Sequence, residues 1–83
     1  MNTVVITKND YNTFFIYVNG EEVAGSSVFR RVRGFWNMKT EKWIKASSFT
    51  RKNIKKNPSI VLALLEQTGF EFPQGEFNVT AEV

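Results

Sequence analysis

"TFFIYVNGEEVAGSS", residues 13–27, sets an Asn-Gly pair between an aromatic and β-branched run and a second, weaker one. Asn19-Gly20 is the favoured pair for a two-residue type I′ turn, because both of its central positions need positive φ. The two flanking runs are therefore predicted to be adjacent antiparallel strands. An unbroken register from that turn sets Val18 opposite Glu21, Ile16 opposite Val23 and Phe14 opposite Gly25. Phe14, Ile16, Val18 and Val23 then share one face of a sheet, the first candidate for a core.

Working outward, "TVVITK" (3–8) reads as a strand preceding this hairpin. On the other side, "VFRRVRGFWN" (28–37) and "KWIKAS" (42–47) read as a further hairpin around "MKTE" (38–41). With Trp36 across from Trp43, Phe35 pairs with Ile44. Arg30, Trp36, Trp43 and Lys45 are then expected on one face, and Phe29, Phe35, Ile44 and Ala46 on the core side. Strict alternation would also turn Arg31 and Arg33 inward, so a bulge or strand end is expected near Gly34.

After residue 47 the period changes from two to that of a helix. "SFTRKNIKK" (48–56) is expected to form a short helix capped by Ser47 or Ser48. Asn57-Pro58 reads as the start of a second helix and Gly69 as its stop, with Ile60, Val61, Leu64 and Leu65 forming the stripe that lies on the sheet. "FNVTAEV" (77–83) alternates apolar and polar residues and reads as a closing strand. The expected fold is α+β: an antiparallel meander of about four to five strands packed against a helical segment, with a closing C-terminal strand. At 83 residues, the whole of 1–83 is expected to be one domain.

Composition narrows the chemistry. The chain has neither cysteine nor histidine, and its acids show no paired, motif-like spacing, so the expectation is a protein that is not an enzyme and carries no metal or cofactor. No secretory pattern opens the chain, and its longest apolar run, "IVLALL" (60–65), is too short to span a bilayer. A soluble, cytoplasmic protein with no membrane partner and no small-molecule substrate is expected.

Charge supplies the strongest functional signal. Residues 29–56 carry ten bases (Arg30, Arg31, Arg33, Lys39, Lys42, Lys45, Arg51, Lys52, Lys55 and Lys56) against Glu41 alone, a balance of +9. The remainder carries Lys8 against seven acids, a balance of −6, and the two sum to the net +3. On a helix, Arg51, Lys52, Lys55 and Lys56 share one face. Such a block predicts a surface for a polyanion, DNA or RNA, gripped by a basic hairpin and helix, with Trp36 and Trp43 offering flat rings for base stacking. The same tryptophans are also consistent with core packing, and Lys55 and Lys56 with complementing the end of a helix dipole. The alternative reading is a protein-interaction module, such as a small phage or mobile-element inhibitor, docking its basic face on an acidic partner protein.

Overall fold

The computed structural model describes residues Met1–Val83. The chain forms β1 (Asn2–Lys8), β2 (Phe14–Val18), β3 (Glu21–Phe29), β4 (Val32–Asn37), β5 (Lys42–Lys45), α1 (Arg51–Lys56), α2 (Ile60–Gln67) and β6 (Phe77–Glu82). The strands build one six-stranded sheet in the order β5-β4-β3-β2-β1-β6. The first five strands are antiparallel neighbours, and β6 pairs with β1 in parallel. A parallel partner cannot follow through a tight turn, so the chain must cross the sheet to reach it. Both helices lie on that crossover, which is why one face of the sheet is covered and the other is open.

Asn19 and Gly20 have φ of 51° and 83°, as a type I′ turn requires, and Val18 pairs with Glu21. Beyond that pair the expected register does not hold. A shift between Ile16 and Tyr17 pairs Ile16 with Ala24 and Phe15 with Gly25. Val23 is the extra residue of a bulge. The bulge lets Val23 and its neighbour Ala24 both be buried, which strict alternation forbids.

A larger correction concerns 28–37. This segment is not a single strand, because Arg30 and Arg31, with φ of 51° and 63°, form a two-residue turn between β3 and β4. The break in period expected near Gly34 lies here, and Gly34 is an ordinary β4 residue paired with Ser27 and Lys45. The turn pairs Phe29 with Val32, placing both on the face of Gly34 and Trp36. Phe29 therefore leaves the core face and is 57% exposed. Phe35 opposite Ile44 and Trp36 opposite Trp43 stand as expected.

The core fills the covered face. Val4, Ile6, Phe14, Ile16, Val18 and Phe35 from the sheet meet Phe49, Ile54, Val61, Leu64 and Leu65 from the crossover, all buried. Phe49 joins the two layers, with its ring 5.2 Å from that of Phe14 and 5.4 Å from that of Phe35. Helix α1 is capped by Thr50, not Ser47 or Ser48, with the Asn53 amide donating to Thr50 Oγ1 at 3.3 Å. Phe49 accounts for that choice, since its buried ring fixes the chain just before the helix. Asn57 closes α1, and α2 begins after Ser59. Gly69, with φ of 80°, ends α2 in a Schellman motif: its amide donates to Glu66 O and that of Phe70 to Leu65 O.

One polar contact ties the layers. Asn37, fully buried, donates from Nδ2 to Thr68 Oγ1 at the end of α2, while its Oδ1 accepts from the amides of Lys39 and Thr40. The side chain thus shapes the β4–β5 turn and anchors it to the helix. No helix is long and apolar enough to cross a membrane.

Candidate nucleic-acid interface

Register sets the open face. Glu82, Thr7, Phe15, Gly25, Trp36 and Trp43 form one row across all six strands, from β6 to β5. One step along, Ser27, Gly34 and Lys45 form the next row, and Phe29 pairs with Val32 beyond it. The face therefore alternates large aromatic rings with glycine and serine, a relief of ridges and hollows instead of a flat apolar sheet.

Two tryptophans occupy different positions in that relief. Trp36 is 38% exposed, whereas Trp43 is half-buried and belongs to no part of the core. A Cβ built on Gly34 would collide with Cε2, Cζ2 and Nε1 of the Trp43 indole, so the indole lies over the bare glycine backbone. Phe29 meets it at 6.1 Å between centroids, and the Arg30 guanidinium sits 5.4 Å from the centre of the Phe29 ring. The Trp43 Nε1 donor is buried with no partner, a cost of about 1–3 kcal/mol that ring packing on Gly34 and Phe29 must offset.

This stacking makes a direct prediction. With Trp36→Phe as background, so that Trp43 is the sole tryptophan, Gly34→Ala should lower unfolding free energy by about 1–3 kcal/mol and shift Trp43 emission. An unchanged urea midpoint with unchanged emission would show that the indole does not rest on Gly34.

All ten bases of 29–56 are exposed. One ion pair forms, between Lys39 in the β4–β5 turn and Glu21, which leaves nine of the ten without an acidic partner. The fold sorts them into groups. Lys45 lies on the open face, and Arg30 and Arg31 form the turn at the same end of the sheet. Arg33 and Lys42 belong by alternation to the covered side, as partners of Val28 and Asn37, on parts of it that leave them exposed. Arg51, Lys52, Lys55 and Lys56 stand on α1, which buries only Ile54. Helix and tryptophans are thus on opposite sides of the sheet, and the basic stretch does not form one continuous face.

Phe15 joins Trp36 and Trp43 in the same row, a contribution that the sequence reading passed over. Its signal was present, since placing Phe14 and Ile16 inward turns Phe15 and Tyr17 outward. Compared with protein-family models, with curated proteins and with solved structures, the chain matches none.

Proposed function

We propose that the protein is a small nucleic-acid-binding module that receives DNA or RNA on the open face of strands β2 to β5. The observation that carries this reading is the aromatic row of Phe15, Trp36 and Trp43 on a face left uncovered, rimmed by unpaired Arg30, Arg31 and Lys45. Partly exposed rings on a sheet gain from being covered, and the surrounding cations select an anionic cover. Stacking on such rings is worth about 1–3 kcal/mol per base, and phosphate neutralisation supplies the rest. Of the acids on the same face, Glu82 lies on β6 at its far edge and Glu22 on β3, where it borders the hollow between Phe15 and Trp36, so a polyanion is directed to the Ser27 and Lys45 end of the rings.

In this reading Arg30, Arg31 and Lys45 touch phosphates. The α1 cluster of Arg51, Lys52, Lys55 and Lys56 raises the local potential from behind, and Arg33 and Lys42 add to it from the covered side, while Lys39 is paired with Glu21. A mobility-shift assay on mixed single- and double-stranded oligonucleotides tests the function. Binding should weaken steeply with salt, the slope of log K against log salt growing by about 0.7–0.9 for each phosphate neutralised. Affinity that is flat across salt, or no binding at low salt, would overturn the proposal and turn attention to an acidic protein partner.

A further inference from the structure

We infer, resting on the nucleic-acid reading above, that the hollow over Ser27 walled by Phe29, Trp36 and Trp43 is a slot for one unstacked nucleobase. The protein is then a reader of single strands in preference to duplexes. The hollow measures about 210 Å³ and has just these four lining residues, three aromatic rings and one hydroxyl. Flat walls and a single small polar group match a planar heterocycle with hydrogen-bonding edges. Ser27 offers one contact to a base edge and little means of choosing among bases.

Glycine keeps the slot open. Gly34, paired with Ser27, has no side chain, and the Trp43 indole occupies the space above it. Any side chain at Gly34 displaces that ring. Trp36 also lines a second hollow of about 190 Å³, on the side of Phe15 and Gly25, so its ring stands as a partition with space on both flanks.

Charge decides between ligands that fit an aromatic cage. A methylated ammonium would also suit three rings, but here the Arg30 guanidinium lies over the Phe29 ring and Lys45 follows Trp43 by two residues on the same strand face. Both repel a cation and attract the phosphates that flank a base. A duplex keeps its base faces stacked internally and can offer these walls only its edges and backbone. A strand with free bases can offer a face.

Trp36 and Trp43 are the two tryptophans of the chain, so intrinsic fluorescence of the intact protein reports on this slot. The protein is titrated at low salt with a single strand of roughly eight nucleotides, a duplex of the same length, and an abasic strand with the same phosphates. The base-bearing single strand should quench emission and bind roughly 5- to 150-fold more tightly than the abasic strand, the equivalent of one stacked base. Trp36→Ala and Phe29→Ala, both at exposed side chains, should abolish that preference while salt-sensitive binding to the abasic strand persists. Equal, salt-sensitive binding of all three ligands without quenching would overturn the slot and leave the polyanion-binding function standing. A preference that survives Trp36→Ala would also overturn it. Binding of none of the three would overturn the function and the slot together.

Discussion

Phe49→Ala should lower the free energy of unfolding by about 3–5 kcal/mol, a large share of the roughly 5–15 kcal/mol expected for a domain of this size. Phe49 lies outside every helix and strand, yet it is fully buried and touches aromatic rings from two strands, Phe14 on β2 and Phe35 on β4. Truncation leaves a cavity bounded by the sheet, which is hydrogen-bonded and does not collapse into it. Helix α1 has six residues and buries only Ile54, so it cannot hold its place without this neighbour. Urea denaturation reads the loss as a lower midpoint at unchanged m, with Lys52→Ala as the neutral surface control. A loss below about 1 kcal/mol would mean that the crossover is held elsewhere.

The value of that residue was not legible in "KASSFT", where a lone phenylalanine among small polar residues has no partner at strand or helix spacing. Its burial comes from long-range packing. The Asn19-Gly20 turn was legible, because few residue pairs tolerate two positive φ angles and the sequence supplied one that does. Arg30-Arg31 adopts the same geometry with residues that carry no such signal. A non-glycine residue at positive φ is uncommon, so the reading preferred an unbroken strand. That choice had one consequence beyond the turn. In an unbroken strand Phe29 and Phe35 are an even number of residues apart and share a face, whereas a two-residue turn makes Phe29 the partner of Val32 and sends it to the face of Trp36.

The bulge at Val23 was hidden for a similar reason. Two adjacent buried residues violate alternation, and only the pairing of β2 with β3 shows which of them is the extra one. For the candidate site, the sequence located the charge and the cross-strand tryptophan pair. It could not separate the cations into those beside the rings and those behind them, since that division depends on which face the crossover helices cover. Asn37 was missed altogether, although an asparagine opening a polar turn is a recognisable Asx signal.

That division of charge leads to the second large effect. Neutralising Arg30, Arg31 and Lys45 together should reduce the salt slope for single-strand binding by about 2, since each phosphate contact contributes about 0.7. Between roughly 50 and 200 mM salt the variant should then lose about twentyfold less affinity than the unmodified protein does. Neutralising Arg51, Lys52, Lys55 and Lys56 removes more charge, taking the net value from +3 to −1 against +3 to 0 for the first variant. Its slope should nevertheless change by less than 1, because counterion release counts phosphates in contact and these four side chains stand on the side away from the rings. The contrast is diagnostic because total charge and contact predict opposite orders. If the helix variant loses about 2.8 in slope and the turn variant loses none, the nucleic acid lies across α1, and Phe15, Trp36 and Trp43 have no part in holding it.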